Sequence, residues 1–448
     1  MPGETQTSIH QAQLSAIDKL IEYHSTSDNF TEAIRLKSLY MLIDTISCIF
    51  DGRGSNEVKA FEESLGAYEK GIFHFPGGPC LSPWSCASVS AMASTWSEAC
   101  EGLPYAHGRP GLPIVGALLA MAVQNNTKLI DVLKSLVLGY EVGARCGGWL
   151  RIRPGMHVDG NWPGLGVAVA VAGLLGLTNE QKINALNIAA CQLPTSLYLP
   201  IKTGNNARNT YLSHSAILGL MSAFSAKAGI TAPRNALIEY AQNHALNDGL
   251  PVPNYKYSFI EDSYFKPFAS ARHVHYGVEA ALKIRDKLTG SIDDIHSIVL
   301  SIYPEAATYA GNRDPQAMIT GQFSLSLGVA SAIRFGHMDP ELYDSKLFFD
   351  RDLRKIEKMV QIEINHSLEK TGVREAELIV KTKNGCYAEK IESLMGDPKF
   401  PLSQNEMIEK FVKYSKTSVK KVSAKKFINT LLNDRGELRF ADAWQTLF

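Results

Sequence analysis

Apolar residues recur at three- and four-residue spacing from Ile9 to about Asn254, which predicts a succession of helices. Leu36, Tyr40, Ile43, Ile46 and Phe50 mark one helix, closed by Asp51-Gly52. Leu129, Val132, Leu133, Leu136, Val137 and Tyr140 mark another, opened by Asn126 and Thr127, and Asn179-Glu180 opens a third through Ile183, Leu186 and Ala189. The most apolar run, Gly164–Leu177, is about a third short of the roughly 20 residues of a membrane span. Its glycines and alanines predict a buried helix that packs closely on its neighbours. Beyond about residue 266 the period shortens. Ile298–Ile302 and Val360–Ile364 read as strands, and Ala376–Thr382 and Cys386–Ile391 as a hairpin, because Asn384-Gly385 favours the positive backbone angles of a tight turn. From Ser403 the helical period returns, and the lysines of Lys413–Lys426 read as a solvated helix face.

This pattern predicts a mostly α chain: a helical main domain over residues 1–265, an inserted α/β domain over 266–401, and helices over 402–448 that return to the first domain. At 448 residues the chain is long enough for a large core. Forty-five basic residues balance forty-five acidic ones, so no overall field favours nucleic acid or an acidic membrane, and any anion preference is local. The seven cysteines are scattered, with no Cys-x-x-Cys pair, which suits reduced thiols in a cytoplasmic protein. The polar start MPGETQTSIHQAQ is not a signal peptide.

The densest candidate chemistry lies in Phe265–Tyr276, FKPFASARHVHY. There Lys266, Arg272, His273 and His275 surround small residues. Pro267 holds Lys266 extended, and Ala269, Ser270 and Ala271 let a ligand approach the main chain. This suits a small, multiply charged carboxylic acid; a solvated loop leading into a helix Gly277–Lys283 is the plainer reading. No HExxH, Walker-type or strand-linked GxGxxG motif occurs, and His273 and His275 are the one close histidine pair, without a carboxylate or cysteine beside them to complete a metal set.

Several segments in order resemble the MmgE/PrpD family of 2-methylcitrate dehydratase, cis-aconitate decarboxylase and iminodisuccinate epimerase. They are MLIDTISCIFDG (41–52), DVLKSLVLGYEVGAR (131–145), His157 with GLGVAVAVAGLLGL (164–177), TGNNARN (203–209), FKPFASARHVH (265–275) and NRDPQAMITGQFSLSLGVASAIRFG (312–336). The resemblance implies a helical main domain, an α/β lid, a homodimer, and a cofactor- and metal-free site between domain and lid. It places His157 at a catalytic histidine, Tyr309 at the lid tyrosine and Lys266 at a lysine that binds substrate carboxylates. It also shows departures. The family's acidic Asp-x-Asp-Asp-Thr stretch reads Ala99-Cys100-Glu101-Gly102-Leu103 here, and Arg109 stands at the loop histidine's place, with His107 two residues earlier. Leu199 stands for a lysine and Lys202 for a histidine, and Ala271 stands where relatives carry histidine or cysteine.

Three functions follow as expectations. The first is a lyase or isomerase of the dehydratase or decarboxylase type, acting on a small polycarboxylate or alkyl-citrate-like acid. In it His157 transfers the proton, Tyr309 donates one, and His107, Lys202 and Glu101 replace the altered family groups. Lys266, Arg109, Arg272 and His275 bind the acid, the guanidinium fork suiting a carboxylate. The second keeps the fold but cyclises or rearranges a larger natural-product intermediate in a more apolar pocket. The third is a non-catalytic scaffold. No nucleic-acid or membrane partner is expected.

Overall fold

The computed structural model describes residues 2–244, 254–369 and 373–448; the last part of the expected helical stretch, residues 245–253, lies outside them. Helix accounts for 60% of the chain and strand for 10%, so the protein is mostly α. Local signals set many of the boundaries. The helix Glu32–Gly52 starts where the Thr31 side chain accepts from the Ile34 N–H. Asn179–Ala190 starts at a reciprocal cap between Thr178 and Gln181, and Gln404–Tyr414 at one between Ser403 and Glu406.

Apolar side chains gather into two cores. The first joins the helices Glu32–Gly52, Pro83–Trp96, Gly111–Gln124, Leu129–Trp149, Pro163–Leu174, Asn179–Ala190 and Tyr211–Lys227 with those near the C-terminus. Trp444 stacks on Phe50 with the rings 6.2 Å apart, and Phe411 meets Phe50 edge-on at 6.0 Å. The apolar run Gly164–Leu177 forms the helix Pro163–Leu174, packed among the other helices of this core, and its last three residues lie beyond the helix. A Cβ on Gly166 would lie 2.7 Å from the Gly139 carbonyl, so glycine lets two backbones touch there.

The second core lies around a four-stranded sheet in the order Val360–Ile364, Ile295–Ile302, Ala376–Thr382, Gly385–Ile391, the first pair parallel and the rest antiparallel. The helices Arg272–Arg285, Leu325–Phe335 and Arg351–Met359 contribute to it. The hairpin turns at Lys383-Asn384, with Thr382 opposite Gly385. The strand expected from Ile298 begins at Ile295, across a register shift between Ile295 and Ser297. The helix expected from Gly277 begins at Arg272, because Ala271 is tied down by donating to the Gln322 carbonyl at 2.9 Å. The basic run Lys413–Lys426 is not one helix face: it breaks over Ser415–Lys420, where Val419 turns inward.

The segment 265–271 threads between the cores on three main-chain bonds: Phe265 to Gly396 (3.0 Å), Ala269 to Met338 (2.8 Å) and Ala271 to Gln322. That tethering buries Lys266. No described helix is long and apolar enough to cross a membrane.

Candidate active site

A cavity of about 260 Å³ takes its walls from both cores, among them Leu103, His107, Arg109, His157, Arg208, Lys266, His273, Tyr309 and Phe323. Each wall is fixed by local structure. The segment after the helix Pro83–Trp96 turns at Glu98, whose φ of 53° is left-handed, and pairs with Tyr264 through Gly102. The loop then doubles back, Leu103 donating to the Gly108 carbonyl at 2.9 Å, with His107 also left-handed at φ 52°. Non-glycine residues adopt this conformation at a cost of roughly 1–3 kcal/mol, and such strain concentrates at functional sites. His157 is held by a two-residue antiparallel pairing with Ser196-Leu197, which sets it beside Tyr198. Arg208 projects from the short helix Asn206–Thr210 and donates to the Thr95 hydroxyl at 2.7 Å.

Buried charge forms the floor. The Glu98 carboxylate receives Arg109 Nη1 at 2.9 Å, Lys266 Nζ at 2.7 Å, and Arg208 Nη2. Asp159 receives the other arm of Arg109, and Arg208 Nε lies 3.9 Å from it. Burial opposes ionisation of Glu98, but Arg109, Arg208 and Lys266 outweigh it and hold the carboxyl well below the usual range. Asp159 is lowered in the same way, against burial, by Arg109, His157 and Arg208. Its Oδ1 has no hydrogen-bond partner among the described residues.

A row of aromatic rings also lines the cavity. His157 stacks on Tyr198 at 5.8 Å, Tyr198 meets Tyr309 edge-on at 5.8 Å, and Tyr309 stacks on His273 at 6.0 Å. Tyr309 is 45% exposed, at the mouth. Burial lowers both His157 and His273 to about 4, so both are neutral near pH 7. His107 is lowered too, chiefly by burial.

Of the residues anticipated from sequence, His157, Tyr309, His107, Lys266, Arg109 and Arg272 line this cavity. Three do not. Glu101 is fully buried behind the wall, accepting from the Gly111 N–H at 2.8 Å. Lys202 sits in a one-turn helix, Leu199–Thr203, and points to solvent with its ammonium 6.0 Å from the Tyr198 ring centre. His275 lies under the first turn of its helix, bound to Arg272 and the Ser270 carbonyl. In exchange the structure brings in Glu98, Asp159, Arg208, Tyr198, Glu305 and Arg374, which sequence reasoning did not assign. Arg208 was visible only as part of TGNNARN, and Asp159 only as a neighbour of His157. Among the described residues no group of three or more His, Cys, Asp or Glu side chains is placed to hold a metal.

A search of curated proteins returns no match. The family comparison is extensive: the MmgE/PrpD N-terminal domain matches residues 20–243 and the C-terminal domain residues 268–434. Members of that family are generally lyases of the dehydratase type. Residues 244–267, between the two matches, include the segment that carries Lys266 into the cavity, and the chain belongs to the MmgE/PrpD family.

Proposed function

We propose that the protein is a lyase that eliminates water from a small, citrate-like polycarboxylate, an alkyl-citrate-like acid included. The observation that carries this reading is the charge of the cavity wall. Arg109, Arg208, Lys266, Arg272 and Arg374 outnumber Glu98, Asp159 and Glu305 on the wall; Asp397 pairs with Arg272 from outside it, which leaves one fixed cation in excess. A volume of about 260 Å³ lies below the roughly 300–1,000 Å³ of drug-sized ligand sites, which suits a compact acid. Leu103, Pro104, Ile152, Met156 and Val158 add an apolar side for an alkyl arm.

In this reading an imidazole of the cavity removes a proton from the carbon next to a carboxylate. The electron pair passes into that carboxylate as an enediolate, stabilised by the fixed cations. The pair then returns to form the double bond as the β-hydroxyl leaves, protonated by the Tyr309 phenol. Transfer of the first proton from imidazolium to phenolate restores the enzyme.

The charged wall weighs against a larger, apolar intermediate folded for cyclisation. It was suggested by Ala99, Leu103 and Leu199, and of these three Leu103 alone lines the cavity; Ala99 is buried elsewhere and Leu199 is exposed. The test is incubation with citrate, 2-methylcitrate, longer alkyl citrates and cis-aconitate, following unsaturated acid and carbon dioxide. Formation of an unsaturated acid from a hydroxy acid supports the reading; absence of turnover across the whole set overturns it.

A further inference from the structure

Three imidazoles line the cavity, and their hydrogen bonds differ in a way that divides their work. The Nδ1 of His157 accepts the main-chain N–H of Asp159 at 3.2 Å. A peptide N–H can only donate, so this nitrogen keeps its lone pair and the ring's proton sits on Nε2. The Nδ1 of His273 lies 2.6 Å from the hydroxyl of Tyr303, a residue 3% exposed. The Tyr303 O–H has no other protein acceptor among the described residues. Turning it toward Nδ1 satisfies a buried donor, whereas the reverse bond would leave that donor unpaired at a cost of about 1–3 kcal/mol. His273 therefore also carries its proton on Nε2. In each ring Nε2 is the nitrogen without a protein hydrogen bond among the described residues, so it is the one left for a ligand. His107 differs: neither of its ring nitrogens makes a hydrogen bond within the described protein, and it lies near enough to His273 for its charge to be felt there.

We infer that His157 and His273 are a pair of fixed neutral donors that present Nε2–H to the bound acid, and that His107 is the imidazole that takes the proton. This deepens the dehydratase reading and rests on it for the identity of the ligand, though not for the positions of the ring protons. The physical advantage is preorganisation. A neutral N–H aimed at a developing enediolate stabilises its charge without itself giving up a proton, and the stacked Tyr198 and Tyr309 keep the two rings from turning. A free lone pair on an imidazole at the strained turn Pro104–His107 is the complementary acceptor.

Neutron diffraction from deuterium-exchanged crystals of the wild-type protein at neutral pH reads the ring protons directly, whatever the substrate. Deuterium on Nε2 and none on Nδ1 is expected for both His157 and His273; deuterium on Nδ1 of either ring overturns the assignment for that ring. Turnover of an acid identified as a substrate gives the second readout. His157→Gln and His273→Gln keep an N–H donor and are expected to stay within about tenfold of wild type, while the alanine variants lose about 10²–10³-fold in kcat. His107→Gln, which offers no comparable base, is expected to fall as far as His107→Ala. If folded His157→Gln is as inactive as His157→Ala, the donor role is wrong. If no acid is turned over, the dehydratase reading fails while the diffraction result still decides the proton positions.

Discussion

Lys266 grips Glu98 at two points: its ammonium donates to the carboxylate Oε1 at 2.7 Å and to the main-chain carbonyl of the same residue at 3.0 Å. The pair lies 168 residues apart in sequence and fixes a left-handed residue of the helical core to the segment that enters the second core. Lys410, from the helix Gln404–Tyr414, braces both ends, donating to the carbonyls of Ala99 (2.6 Å) and Lys266 (2.8 Å). Glu98 would keep two guanidinium partners in Lys266→Met. The expected loss of stability is therefore about 1–3 kcal/mol, below the 3–5 kcal/mol of an orphaned buried charge. Activity should suffer more, because a fixed cation of the carboxylate site is gone: kcat/KM falls about hundredfold, mainly through KM. Urea unfolding and steady-state kinetics check the two parts, and an unchanged KM would remove Lys266 from substrate binding.

This pair also shows what the sequence could and could not disclose. The helical period, the strand Val360–Ile364 and the hairpin strands were legible because each depends on neighbours within a few residues; the turn itself falls one residue early, at Lys383-Asn384, and neither Asn384 nor Gly385 takes the expected positive φ. Lys266 was legible through Pro267 and the small residues that follow. Glu98 was not: its importance comes from a positive φ and from three cations at positions 109, 208 and 266, whose convergence leaves no local pattern. Helix phase misled in two places. Starting the helix at Arg272 turns His273 to the cavity and His275 beneath it, although the two are only two residues apart. In the single turn Leu199–Thr203 the buried side is taken by Ile201, so Lys202 faces water.

Tyr309 is poised at the mouth, against His273 on one side and Tyr198 on the other. Tyr309→Phe keeps both ring contacts and removes only the hydroxyl. If the phenol protonates the departing group, kcat drops about 10²–10³-fold with little change in KM, and the melting temperature stays near wild type. A variant that retains kcat would assign Tyr309 to packing alone.

Two buried imidazoles make stability depend on pH in a defined direction. For His157, burial, then Arg208 and Arg109, outweigh Asp159 and bring the ring from its ordinary 6.5 to about 4. For His273, burial, Arg374, Lys266 and His107 outweigh Glu305, with the same result. The folded state then binds fewer protons than the unfolded chain between those values. Their contribution is complete above pH 6.5 and declines as pH falls toward 4, at about 1.4 kcal/mol per pH unit for each ring. Urea unfolding of wild type and of His157→Gln/His273→Gln at pH 7 and pH 5 measures it. Wild type is expected to lose more on acidification, and equal losses would show that the rings are accessible to protons in the folded state.

Glu101 acts in the opposite sense. It is fully buried, its Oε2 has no hydrogen-bond partner among the described residues, and burial together with the nearby Asp44 raises the carboxyl to about 8 despite the Gly111 N–H. The unfolded chain ionises near its ordinary 4.5, so between pH 4.5 and 8 the folded state holds a proton that the unfolded state has released. Stability from this group is therefore present at low pH and is lost as pH rises through that window, by about 1.4 kcal/mol per unit. Glu101→Gln keeps an acceptor for Gly111 and abolishes the titration. Its stability relative to wild type should increase steadily from pH 5 to pH 7.5, with turnover preserved because the side chain is outside the cavity. A difference that stays flat across those pH values would mean that the carboxyl is ionised in the folded protein. A loss of turnover in the folded variant would return Glu101 to the reacting groups.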